Sequence, residues 1–95
     1  MTVVLKKIKE TFTVLNDKGL HTRPATELVK LASTFKSNMT LVYQGLNVNA
    51  KSLLGLLMLA APRGSKICVE AEGDDAKEAV DAILKLAEDK FYIQY

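Results

Sequence analysis

Residues 8–35 read IKETFTVLNDKGLHTRPATELVKLASTF, and the change of rhythm inside this stretch decides the fold. Ile8, Glu10, Phe12 and Val14 alternate with Lys9, Thr11 and Thr13, a period near two that predicts a half-buried strand over Ile8 to Leu15. Asn16-Asp17-Lys18-Gly19 breaks it with turn-forming residues. Beyond the break the apolar positions recur at Ala25, Leu28, Val29, Ala32 and Phe35, which is helical spacing, with Lys30, Ser33 and Lys36 left to face water. A strand therefore gives way to a helix within a few residues, and the only histidine of the chain sits at the junction.

The remaining elements follow the same logic. Met39 to Tyr43 and Leu46 to Ala50 predict a hairpin turning at Gln44-Gly45. Ser52 is placed to cap a short helix over Leu53 to Ala61 that stops before Pro62 and Gly64. Ile67, Val69 and Ala71 alternate with Lys66, Cys68 and Glu70 in a fourth strand, which puts Cys68 on the face away from the core. Asp75 with Glu78 resembles a capping box, and Ala76, Ala79, Val80, Ile83 and Ala87 mark the apolar face of a third helix. The order βαββαβα predicts an α+β fold in which one antiparallel sheet buries a single face under helices. The apolar tail Phe91-Tyr92-Ile93-Gln94-Tyr95 fits either packing on the domain or contact with a partner.

Composition limits the chemistry. With 95 residues, 48% of them hydrophobic, residues 1–95 are expected to form one domain. A domain of this size buries only roughly 60% of its unfolded surface, which favours a surface site over a deep cavity. Thirteen Lys and Arg against eleven Asp and Glu are too balanced for a nucleic-acid footprint, and the cluster Lys6, Lys7 and Lys9 reads as the solvated start of a strand. One His and one Cys supply too few ligands for a usual zinc site, so no metal is expected and Cys68 has no catalytic role. A single Cys also excludes an internal disulfide. The apolar run Leu53 to Pro62 is too short to span a membrane and no secretory leader is evident, so a cytosolic protein without membrane contact is expected.

Gly19-Leu20-His21-Thr22-Arg23-Pro24-Ala25 carries the functional signal. Pro24 suits a first helical turn, which places His21 at or near the N-cap. The backbone N–H groups of Thr22 and Arg23 and the positive end of the helix then make an anion site beside the imidazole, and the Arg23 guanidinium suits phosphate oxygens. Nucleophile and charge stabiliser meet within a few residues, as phosphoryl transfer requires. The plainer reading is a histidine that only caps a helix.

Gly-Leu-His-Thr-Arg-Pro-Ala at 19–25 together with Asn-Ala-Lys-Ser-Leu-Leu-Gly at 49–55 resembles the HPr family, the histidine-containing phosphocarriers of the bacterial sugar phosphotransferase system. The resemblance covers nearly the whole chain, including the Gly64 turn and Ala71-Glu72-Gly73. It implies an open-faced β-sandwich with a four-stranded antiparallel sheet covered on one face by three helices. It implies phosphorylation of His21 at Nδ1 by Enzyme I, with phosphoenolpyruvate as the source, Arg23 holding the phosphoryl group, and transfer to Enzyme II A domains. Leu20, Thr22, Leu53, Leu54 and Leu57 would dock these partners, in keeping with an apolar helix too short to bury all its faces. Ser52 matches a serine phosphorylated by an ATP-dependent HPr kinase/phosphorylase, although capping alone also accounts for it. The implied protein is a monomeric carrier without a cofactor, not an enzyme in its own right.

Three features depart from the family pattern: Ala60-Ala61-Pro62-Arg63 where glycine is usual, Ser33 where many relatives are basic, and the extension to Tyr95. Two other readings stand beside the first. One is an NPr-type carrier of the nitrogen-related phosphotransferase system. The other is a regulatory binding module acting through Ser52, which the presence of His21 argues against. A small-ligand or RNA-binding domain would need a glycine-rich ligand loop or exposed aromatics on the sheet strands, and only three Phe and three Tyr occur, with no such strand pair evident.

Overall fold

A computed structural model of the chain describes residues 7–93. Lys6, Gln94 and Tyr95, which entered the expectations above, lie outside them. The elements are β1 (Lys7–Thr13), α1 (Thr22–Ala32), β2 (Asn38–Tyr43), β3 (Leu46–Asn49), α2 (Leu53–Met58), β4 (Lys66–Glu72) and α3 (Ala76–Glu88), followed by a turn over Lys90–Tyr92. The strands form one antiparallel sheet in the order β1-β4-β2-β3. In register, Phe12 lies opposite Ile67, and Leu41 opposite Val69.

Alternation sorts the two faces of the sheet. Phe12, Met39, Leu41, Ile67, Val69 and Ala71 point inward and are buried. The helices close over them with Leu28 of α1, Leu56 of α2, and Val80, Ile83 and Leu86 of α3. Burying such a side chain fully contributes about 1.5–3 kcal/mol, so this single interface holds the fold. Thr11, Thr40, Cys68 and Glu70 lie on the open face, Cys68 half-buried there as its place in the alternation predicts. Glu70 accepts ion pairs from Lys7 at 3.7 Å and Lys9 at 3.6 Å, and these exposed lysines sit at a strand start as expected. The result is the α+β open-faced sandwich that the pattern predicted.

Element ends differ from the expectations for local reasons. β1 stops at Thr13, and Val14 instead exchanges bonds with the loop before β4, donating to Ser65 at 2.9 Å and accepting from Gly64 at 2.8 Å. α1 ends at Ala32, and Phe35 keeps the helical period only through a turn in which its N–H donates to the Ala32 carbonyl at 3.1 Å. α2 stops at Met58 and does not reach Ala61, because Ala60 takes a left-handed conformation, φ 49°, where glycine would be the easy choice. The hairpin turns at Gln44 and Gly45, both with positive φ, matching the twist of the strands it joins.

Asp75 does not form the expected capping box. It is the N-cap residue of α3 but makes no side-chain cap bond. Its carboxylate accepts instead from the backbone N–H groups of Lys36 at 2.8 Å and Ser37 at 2.9 Å, and from the Ser37 hydroxyl. Three donors converging from the α1–β2 loop outcompete one N–H of its own helix.

As far as Ile93, the tail packs back on the domain. Phe91 is fully buried, edge-on to Phe12 with ring centroids 6.2 Å apart, whereas Tyr92 is exposed. Lys90, Phe91 and Tyr92 have φ of 54°, 56° and 64°, a conformation that costs L-residues roughly 1–2 kcal/mol each. Burial of the Phe91 ring offsets part of that cost. So do the bonds from the Asn16 side-chain amide to the carbonyls of Lys90 at 2.9 Å and Ile93 at 3.1 Å.

Candidate functional site

His21 is the N-cap of α1, extended at φ −81° and ψ −172°. Its carbonyl accepts the first helical bond from the Ala25 N–H at 3.0 Å, so the N–H groups of Thr22 and Arg23 lie ahead of that bond at the positive end of the helix. The side chain of His21 makes no cap bond to the helix, and the residue is partly exposed. Pro24 is buried in the first turn, where a missing N–H removes nothing from the helix. Thr22 and Arg23, the next two residues, are exposed.

The turn that delivers His21 is fixed from below. Gly19 has φ 71°, and a Cβ there would overlap the Ala61 carbonyl oxygen and lie 2.8 Å from Pro62 Cα. The Leu20 N–H donates to that same Ala61 carbonyl at 2.8 Å. Arg63 adds an ion pair to Asp17 at 3.0 Å. The loop before α1 and the loop after α2 thereby line an open hollow of about 410 Å³. Lys18, His21 and Thr22 form its polar wall, and Leu57, Ala60 and Pro62 its apolar wall. A partly exposed imidazole, a helix N-terminus and a lysine at one open hollow make a positive environment that suits a small anionic group.

α2 presents the expected apolar surface beside this hollow, with adjustments. Leu54 is 71% exposed, Leu53 is also exposed and Leu57 half-buried. Met58 is 60% exposed, a residue the sequence reading left unassigned although it lies four positions from Leu54 on the same helical face. Leu20, expected among the docking residues, is only 3% exposed and belongs to the core. Its backbone tie to Ala61 turns the side chain under the loop, so it serves as the floor of the hollow.

Ser52 caps α2, its Oγ accepting from the Gly55 N–H at 3.1 Å. The neighbouring Lys51 donates from Nζ to the Phe35 carbonyl at 2.7 Å, tying the end of the α1 segment to the start of α2. Ser52 therefore stands at the opposite end of α2 from Ala60, with the six-residue helix, about 9 Å long, between them. It does not share the hollow with His21. Among the described residues no group of three or more His, Cys, Asp or Glu could hold a metal, and no helix is long and apolar enough to cross a membrane.

Comparison with known proteins gives this geometry a family. The family model described as "PTS HPr component phosphorylation site" matches residues 8–89. The chain is 42% identical over 84 residues to the phosphocarrier protein HPr of Xylella fastidiosa, covering 88% of this chain and 94% of the relative. The crystal structure of HPr-C-His from Thermoanaerobacter tengcongensis superimposes with a TM-score of 0.88 at 38% identity, over 93% of this chain and 99% of that one. An HPr dimer from the same organism gives a TM-score of 0.72 at 41% identity, over 82% and 90% of the two chains. Two anchored loops, a histidine at a helix start and these likenesses lead to one conclusion: the chain belongs to the HPr family of phosphocarrier proteins of the phosphotransferase system.

Proposed function

We propose that His21 is the residue that carries the phosphoryl group, taking it from phosphorylated Enzyme I and passing it to Enzyme II A domains. The observation that carries this reading is the place of the imidazole at the α1 N-cap, on the wall of a hollow that it shares with Thr22. An imidazole nitrogen, Nδ1 by resemblance to the family, donates its lone pair to phosphorus. As the new N–P bond forms, the bond from phosphorus to the donor breaks and its electron pair returns to the donor. Arg23 and the Thr22 and Arg23 N–H groups stabilise the charge spread over the phosphoryl oxygens. The chain supplies no further acid, base or cofactor in this scheme, so it acts as a carrier and not as an enzyme alone. It works as one monomeric domain in the cytoplasm.

Leu53, Leu54 and Leu57 dock the partners, with Met58 extending the patch. A phosphoryl group on Ser52, added by an HPr kinase/phosphorylase, would set about two negative charges beside exposed Leu53 and Leu54 and weaken that docking. An NPr-type carrier would use the same His21 chemistry with regulatory acceptors, and a Ser52-only module would need no His21 chemistry.

The test is to incubate the protein with Enzyme I and phosphoenolpyruvate and measure intact mass. An acid-labile gain of about 80 Da that is absent in His21→Ala supports the carrier reading. A folded protein that gains nothing from active Enzyme I would transfer support to the Ser52 module, to be tried with ATP and the kinase.

A further inference from the structure

Two residues before His21, the Gly19 N–H donates to the Asn16 carbonyl at 2.9 Å and closes a four-residue turn with Asp17 and Lys18 at its centre. The turn is anchored on every side: Asn16 on the C-terminal turn, Gly19 against Ala61 and Pro62, and Asp17 on Arg63. Its backbone is therefore held while Lys18, exposed at the apex, lines the same hollow as His21 and Thr22. Asp17, the acidic neighbour within the turn, is matched by the Arg63 guanidinium at 3.0 Å.

We propose that the Lys18 ammonium binds the phosphoryl group carried on His21, as a second cation in addition to Arg23. This rests on the reading of His21 as the carrier. The two cations have different tasks. A planar guanidinium on a helix start suits one fixed arrangement of oxygens, whereas an ammonium is a compact charge on a flexible four-carbon stem. It can follow the oxygens as phosphorus moves along the line between donor and acceptor.

The protein is phosphorylated with Enzyme I and phosphoenolpyruvate, and the second ionisation of the phosphoryl group is followed by phosphorus NMR against pH. The wild type is compared with Lys18→Ala, Lys18→Arg and Lys66→Ala, the last removing an exposed cation from the sheet. Lys18→Ala is expected to titrate about half a pH unit higher and to lose its phosphoryl group faster, because the dianion has lost a partner. Lys18→Arg restores the wild-type midpoint, and Lys66→Ala leaves it unmoved. A Lys18→Ala midpoint equal to the wild type, or an equal shift in Lys66→Ala, overturns the proposal. Wild-type protein that takes no phosphoryl group on His21 sinks the carrier reading itself, before any variant is compared, and this inference with it.

Discussion

Gly19 lies against the carbonyl of Ala61 so closely that no side chain fits between them, and the next residue, Leu20, donates its N–H to that carbonyl at 2.8 Å. This contact binds the approach to His21 to the loop after α2. Gly19→Ala adds both a left-handed strain at φ 71° and a clash with backbone that cannot rotate away. It is expected to cost about 2 kcal/mol or more, which lowers the melting temperature by roughly 10 °C in a domain of this size. Calorimetry checks the loss. Phosphorylation of His21 by Enzyme I should also slow in the folded fraction, since the hollow cannot keep its shape.

Arg23 is exposed at the start of α1, so its removal should leave the fold alone. Arg23→Ala is expected to melt within a few degrees of the wild type and to receive the phosphoryl group at least about tenfold more slowly, as the loss of a charge-stabilising donor implies. Rapid-quench measurement of transfer from phosphorylated Enzyme I gives the rate. Equal rates would remove Arg23 from the site.

Two leucines of α2, two positions apart, should behave oppositely. Leu56 is fully buried, and Leu56→Ala is expected to destabilise the fold by about 2–5 kcal/mol. Leu54 is 71% exposed, and Leu54→Ser is expected to change stability by less than about 0.5 kcal/mol while weakening binding to Enzyme I severalfold. Urea titration and calorimetric binding separate the two effects. Unchanged affinity in Leu54→Ser would place the docking surface elsewhere.

Asp75 ties the α1–β2 loop to the start of α3, and its pKa lies below the ordinary 3.8 chiefly because the Ser37 hydroxyl and then the Lys36 N–H donate to the charged carboxylate. A carboxyl with a depressed pKa in the folded state adds stability that is full above its unfolded value and is lost as pH falls through the folded one. Melting temperature measured from pH 7 downward should therefore fall on the acid side of that ordinary value. Asp75→Asn should be less stable than the wild type at neutral pH, and the two curves should converge in acid. Parallel curves throughout would show that the charge on Asp75 adds nothing.

The sheet and the helices were legible in the sequence because their signals are periodic: Ile67, Val69 and Ala71 at period two, Ala25, Leu28 and Ala32 at helical spacing. The place of His21 was legible for a different reason, since Gly19 before it and Pro24 after it leave a helix one place to begin. What escaped has no local signature. The partner of Asp75 lies 38 residues away, so a carboxylate two residues past a glycine looked like an ordinary cap. Leu20 belongs to no periodic run, and only its bond to Ala61 shows that it is core. The early end of α2 escaped because alanine is a poor predictor of the left-handed turn that Ala60 makes.

Asn16 holds the carbonyls of Lys90 and Ile93 across 74 and 77 positions of chain, and Phe91 seals the core beside Phe12. During synthesis the bed for Phe91 exists long before Phe91 itself emerges. The sheet can pair as soon as β4 clears the ribosome, but the apolar slot beside Phe12 stays open until Phe91 has followed. Emergence of Phe91, and not the making of any single strand, is the event that completes the core beside Phe12 and ties Asn16, where the turn before His21 begins, to Lys90 and Ile93.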